Sequence, residues 1–208
     1  MTWELHDAGR RPVLLLLVSK FGHCLNDLLY RHQTGSLVVE IPVIVSNHPD
    51  LKPMADVCRI PFRHLPVTRD TKQEQEAAVL DIVEQLGVDL VVLARYMQIL
   101  TPLLVDRLPS RIINIHHGLL PGFEGAAPHR QAFDHGVKVI GATAHYVSSE
   151  LDDGPIIEQT TSRIDHSADP SRIAAMTRDL KCLALARAVQ WHAEHRVLRN
   201  GPKTVVFN

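Results

Sequence analysis

Val13-Leu14-Leu15-Leu16-Leu17-Val18 is an unbroken apolar run. A strand with one face in water alternates apolar and polar side chains, so this run predicts a strand covered on both faces. Asp89-Leu-Val-Val-Leu-Ala94 reads the same way, and Glu40-Ile-Pro-Val-Ile-Val45 is a further strand lying between them in the chain. Helical stripes separate the strands. Gly22 to His32 places Leu25, Leu28 and Leu29 on one face, and Thr71 to Leu86 does so with Ala78, Val79, Ile82, Val83 and Leu86 before Gly87 stops it. Asn47-His-Pro-Asp50 opens a short helix, and Phe62 to Val67 is a short strand. Parallel strands need crossover helices, so this alternation predicts an α/β fold with a doubly wound, mostly parallel sheet.

From residue 101 the pattern changes. Thr101 to Leu108 is a short helix, and Arg111-Ile-Ile-Asn-Ile-His116 is a strand that ends in polar groups. A helix is expected over Pro128 to His135 after a Gly/Pro-rich loop. Lys138 to Val147 and Pro155 to Ile164 read as strands joined by an acidic turn. Asp169 to His195 is a long helix with Asp169 as N-cap and Pro170 as its first residue. Lys203 to Phe207 is a candidate final strand.

Composition excludes several function classes. The chain has 208 residues, 45% of them hydrophobic, enough for one sizeable core. A net charge of −1 argues against a nucleic-acid partner. The longest apolar run falls far short of the ~20 residues that span a bilayer, so no membrane partner is expected. Cys24, Cys58 and Cys182 lack any C-x-x-C spacing, which fits a reducing, cytoplasmic setting rather than a disulfide framework or zinc site. Of thirteen histidines, His6, His32, His48, His64, His129, His135, His192 and His195 sit among polar neighbours and are expected on the surface.

Chemistry concentrates at Ile113-Asn114-Ile115-His116-His117-Gly118-Leu119-Leu120-Pro121. On a strand, Asn114 and His116 point to one face and Ile113 and Ile115 to the other. An amide donor and an imidazole are thus aimed together at the carboxyl end of a strand, where open α/β sheets bind ligands. His117, being adjacent, is expected to face away from His116, which makes the two a poor chelating pair. Ser148-Ser-Glu-Leu-Asp152-Asp153-Gly154-Pro155 is an acidic turn, and alone it reads as a loop.

Taken together, Asn-x-His followed by Leu-Leu-Pro, and a later Leu-Asp-x-Gly-Pro, resemble the catalytic signature of the folate-dependent formyltransferase family. The resemblance runs from about Arg11 to Phe207. Ala94-Arg-Tyr-Met-Gln-Ile-Leu100, Ile112-Ile-Asn-Ile-His-His117 and Gly141-Ala-Thr-Ala-His-Tyr-Val147 are most similar to its formyltetrahydrofolate deformylase branch. It implies a formyltransferase-like Rossmann-type fold, with Asn114, His116 and Asp152 as the catalytic trio. It also implies a folate pocket formed by Tyr96, Met97, Gln98, Leu100, Val147, Ser148 and Leu151, much of it through main-chain groups. No metal or cofactor is required, because 10-formyltetrahydrofolate is itself the substrate. Asn114 would donate to the tetrahedral oxyanion, and His116 would donate to it or protonate N10. Asp152 would hold His116 protonated and orient or deprotonate a water. Members of this branch carry an N-terminal regulatory ACT domain. Residues 1–11 resemble its remnant and linker, and residues 12–208 the catalytic domain. A homo-oligomer is compatible with the resemblance.

The acceptor depends on Ser19 to Asn26. The branch that formylates glycinamide ribonucleotide has a glycine-rich phosphate loop there. This chain retains one glycine and adds Phe21, His23 and Cys24. A backbone phosphate cradle is therefore not expected, and water is the simplest acceptor. Gly118 and Ala127 replace a Ser and a Lys or Arg usual in deformylases, which keeps an amine acceptor open as the alternative. A folate-binding module without catalysis is the third reading.

Overall fold

The computed structural model describes residues 5–7, 9–122 and 128–207. Nine strands and six helices follow one another as β1 (Val13–Val18), α1 (His23–Gln33), β2 (Glu40–Ser46), α2 (Lys52–Val57), β3 (Phe62–His64), α3 (Lys72–Gln85), β4 (Leu90–Leu93), α4 (Pro102–Val105), β5 (Ile112–His116), α5 (Pro128–Asp134), β6 (Val139–Tyr146), β7 (Ile156–Arg163), α6 (Pro170–Ala193), β8 (Val197–Asn200) and β9 (Lys203–Val206) among the described residues. The main sheet runs β3-β2-β1-β4-β5-β6-β7. Its first five strands are parallel, and β6 and β7 are antiparallel additions at the β5 edge.

β1 shows why the apolar run sits at the centre. Leu14, Leu16 and Val18 pack with Leu25 and Leu28 of α1 and with Ala184, Leu185 and Ala188 of α6. Leu15 and Leu17 point the other way, into Val79 and Val83 of α3 and Leu104 of α4. The period of two in a strand divides one run between two helical layers, which makes the sheet doubly wound. All five residues Leu14–Val18 are inaccessible to solvent, and each buried Leu or Val contributes roughly 1.5–3 kcal/mol.

Helix ends follow local chemistry. The Asp169 carboxylate accepts from Arg172 N at 2.7 Å and caps α6, whose first residue is Pro170. Gly87, at φ +59°, ends the turn after α3.

Four expectations change. The short helix α2 begins at Lys52 rather than at Asn47, because the buried Asn47 side chain accepts from Ser19 Oγ (2.7 Å) at the end of β1. β3 stops at His64, since β2 offers it partners only from Ile44 to Ser46. The tail strand does form, as β9, but it pairs with β8 in a separate hairpin. His192 is not a solvated surface histidine. Its Nδ1 lies 2.7 Å from the Tyr146 hydroxyl, and burial holds its pKa down to about 4.

The strand order places a topological switch between β1 and β4. From β1 the chain moves outward through β2 and β3, then returns to β4 on the other side. Loops at the carboxyl ends of β1 and β4 diverge there and leave a crevice, the usual ligand position in such sheets.

Candidate active site

β5 delivers Asn114 and His116 to this end of the sheet, on the face opposite Ile113, which lies in the core. β6 runs antiparallel beside it, with Asn114 directly opposite His145 and His116 opposite Thr143. The turn between β6 and β7 brings Asp152 back over both strands. Asp152 is held at φ 57°, a left-handed conformation uncommon for a side chain larger than glycine. Gly154 makes the turn possible, because a Cβ there would lie 1.7 Å from the carbonyl oxygen of Tyr146.

The side chains converge on the Asp152 carboxylate. His116 Nδ1 donates to Oδ2 at 3.0 Å, Asn114 Nδ2 donates to Oδ1 at 3.5 Å, and His145 Nε2 lies 3.6 Å from Oδ1. His145 Nδ1 donates to the Tyr146 carbonyl at 2.9 Å, which fixes the ring and leaves Nε2 3.3 Å from the Asn114 amide. Hydrogen bonds from His116 and then His145 hold the Asp152 carboxyl well below the usual carboxylate range, against the opposing effect of burial. His116 is 4% exposed, and its Nε2 has no hydrogen-bond partner among the described residues. With Nδ1 taken by Asp152, that nitrogen is the atom the site offers to a ligand.

A cavity of about 250 Å³ lies against these groups. Asn114, His116 and Asp152 line it, and so do Tyr96, Met97, Gln98, Leu100, Val147, Ser148 and Leu151. The loop after β4 is fastened from several sides. Met97 N donates to Ser19 Oγ (3.0 Å), Thr101 N donates to the Glu76 carboxylate (2.9 Å), and Lys72 Nζ donates to the Ile99 carbonyl. Tyr96 is buried, and its hydroxyl accepts from Gln75 Nε2 (2.8 Å) rather than facing the cavity. Its contribution to the wall is therefore backbone and ring. Burial raises its phenol to about 12.

On the far wall, Thr143 Oγ1 donates to the Gly118 carbonyl (2.7 Å) and accepts from Leu120 N (3.1 Å). The segment after β5 is thus fixed to β6. Residues 123–127, including Ala127, lie outside the described residues.

His117 departs from its expected position. It lies beyond the end of β5, where strand alternation no longer applies, and its ring stacks on His116 at 5.3 Å between centroids. Both line the cavity, and His117 Nδ1 is 3.1 Å from Arg95 Nη1. His145 and Arg95 are the site residues that local spacing did not bring forward. His145 alternates with Thr143 on one face of its strand, but only the β5–β6 register reveals that it meets Asn114. Among the described residues, no group of three or more His, Cys, Asp or Glu side chains is arranged to hold a metal ion. No described helix is long and apolar enough to cross a membrane.

Known proteins are similar to this chain in sequence and fold over all or most of its length. The family pattern described as formyl transferase matches residues 13–189. Formyltetrahydrofolate deformylase from Corynebacterium sp. (strain P-1) is 49% identical over 207 residues, covering 100% of this chain and 72% of that protein. The crystal structure of formyltetrahydrofolate deformylase from Burkholderia mallei superimposes with a TM-score of 0.95 at 54% identity. The match covers 100% of this chain and 74% of that one. Glycinamide ribonucleotide transformylase 1 from Symbiobacterium toebii gives a TM-score of 0.89 at 27% identity, with 99% of each chain covered.

Proposed function

The chain belongs to the formyl transferase family, and from that premise we propose that it hydrolyses 10-formyltetrahydrofolate to formate and tetrahydrofolate. The observation that carries this reading is the Nε2 of His116, which has no partner among the described residues. It is buried beside the cavity, with Nδ1 locked by Asp152 and the Asn114 amide on the same strand face.

The folate occupies the cavity between the 95–100 and 147–152 segments, with its formyl carbon near His116 and Asn114. Asp152 accepts the Nδ1–H of His116, so the lone pair of the neutral ring lies at Nε2. A water on that nitrogen gives up its proton as its oxygen adds to the formyl carbon. Asn114 donates to the oxyanion, a contribution of about 2.7–4 kcal/mol for such a donor. His116 then passes the proton to N10 as the C–N bond breaks, and formic acid loses its own proton to solvent. Asp152 is better suited to holding and orienting His116 than to taking the water's proton, because a carboxylate of depressed pKa is a weak base. His145 positions Asn114 and Asp152.

Water as acceptor also suits the loop after β1. A Cβ on Gly22 would meet the Leu51 and Met54 side chains at 2.9 Å, and Cys24 is fully buried. The backbone there packs against apolar groups rather than opening as a cradle. A cytoplasmic location fits the three free cysteines. The test is incubation with 10-formyltetrahydrofolate alone, following tetrahydrofolate and formate. Turnover that requires an added amine would contradict hydrolysis.

A further inference from the structure

Two side chains packed against the catalytic histidine have no part in the proton path described above. Arg95 lies just past the end of β4, where Ala94 N still donates to the Leu17 carbonyl of β1 at 2.9 Å. Its backbone is held at φ 67°, a left-handed conformation that costs a residue other than glycine, and such strain gathers at functional sites. Arg95 Nη1 lies 3.1 Å from His117 Nδ1, and the His117 ring stacks on His116 with centroids 5.3 Å and planes 19° apart. All three residues line the cavity.

The direction of the Arg95–His117 hydrogen bond follows from its donor. A guanidinium has N–H donors and no acceptor, so His117 Nδ1 accepts. A ring that accepts at Nδ1 is neutral and carries its proton at Nε2. His116 is held the opposite way, since its Nδ1 donates to Asp152 Oδ2 at 3.0 Å and its lone pair is at Nε2. Two stacked imidazoles thus stand in opposite tautomers. An imidazolium at His116 faces the Asp152 carboxylate, whereas one at His117 would lose its bond from Arg95 and face a guanidinium. Among the described residues, Tyr96 after β4, His145 of β6 and Glu150 of the β6–β7 turn are the further titratable groups lining the cavity. On its other side, Arg95 acts electrostatically on His23 of α1 and Lys181 of α6, and Cys24 acts on it.

We propose that Arg95 and His117 are positioning residues for the hydrolysis. Arg95 holds His117 as a neutral ring, which fixes the plane of His116 and leaves His116 to take the water's proton. This catalytic role rests on the hydrolytic reading, whereas the opposite tautomers do not.

Nitrogen NMR of the histidine rings reads the tautomers without turnover, and the pH profile of kcat reads their consequence. His117→Phe assigns the His117 signals. In the wild type, His117 carries its proton at Nε2 and stays neutral as pH falls through ~6.5. Arg95→Met frees Nδ1, and His117 then titrates near its ordinary value of ~6.5. Below that pH its charge opposes the imidazolium at His116, and kcat falls roughly tenfold to a hundredfold, with a smaller loss above it and less change in KM. Arg95→Lys, which keeps a charged donor, restores much of the loss. Adding His117→Phe to Arg95→Met leaves a ring that takes no proton, and the excess loss at low pH disappears. Should Arg95→Met fold poorly, His117→Ala, which removes the stack, lowers kcat more than His117→Phe, which keeps a ring. A wild-type His117 with its proton at Nδ1, an Arg95→Met loss equal on both sides of pH ~6.5, or equal kcat in His117→Ala and His117→Phe overturns the proposal. A wild type with the assigned tautomers but no hydrolysis removes the hydrolytic reading, and with it the pair's catalytic role, while the tautomers stand.

Discussion

Replacing Asp152 with Asn keeps the shape of the side chain and removes its charge. The carboxylate receives His116 Nδ1 at 3.0 Å, is 16% exposed, and sits well below the usual carboxylate range because of the two histidines. The Asn amide oxygen can still accept from Nδ1, so the ring keeps a partner. What disappears is the charge that stabilises the imidazolium formed when His116 takes the water's proton. A hydrogen bond to a charged group contributes roughly 1.5–3 kcal/mol, and general acid–base catalysis as a whole about 10²–10⁴ in rate. The expected loss in kcat is therefore roughly 10²–10⁴-fold, with KM changed far less because the folate walls are untouched. Steady-state hydrolysis of 10-formyltetrahydrofolate measures both parameters, with near-wild-type circular dichroism as the control for folding. A folded Asp152→Asn protein that keeps more than about a tenth of wild-type kcat would refute the role assigned to Asp152, since less than 1.4 kcal/mol would then be lost. The same substitution has a pH signature in stability. A folded-state pKa depressed below the unfolded value of about 3.9 gives stability that is present above pH 4 and lost as pH falls through the folded value. Denaturant midpoints of wild type should fall toward, or below, those of the variant as pH drops under about 4.

Asn114→Ala removes the oxyanion donor, and kcat should fall about 10²–10³-fold at nearly unchanged Tm. Gly154→Ala forces the Asp152 turn away from the Tyr146 carbonyl, where the added Cβ would sit at 1.7 Å. It should lower kcat more than KM and cost roughly 1–3 kcal/mol in urea unfolding. Ser19→Ala leaves Met97 N and Asn47 Oδ1 without their buried partner. A cost of about 1–3 kcal/mol and a raised KM are expected as the 95–100 wall loosens, and equal KM values would argue against that fastening.

The sheet could be read from the sequence because its signal is local. Leu14 to Leu17 are apolar without interruption, and burial on both faces leaves no other arrangement. The same holds for Asn114 and His116, whose shared face follows from a spacing of two on β5. Residues whose partners lie far along the chain were harder to find. His145 meets Asn114 only through antiparallel register, and His192 looks exposed until Tyr146 is placed over it. His117 shows where alternation fails, since it lies beyond the last strand residue and turns back over His116. The pairing of β8 with β9 escaped for another reason. Arg196-Val-Leu-Arg-Asn200 mixes charge with apolar groups, and three of its four strand residues remain exposed.

Water as the attacking group is tested most directly by a single turnover of 10-formyltetrahydrofolate in heavy-oxygen water, with mass analysis of the released formate. Attack by water at the formyl carbon beside His116 and Asn114 places at least one heavy oxygen in each formate. Formate free of heavy oxygen, or a formyl group recovered only on an added amine, would be incompatible with hydrolysis.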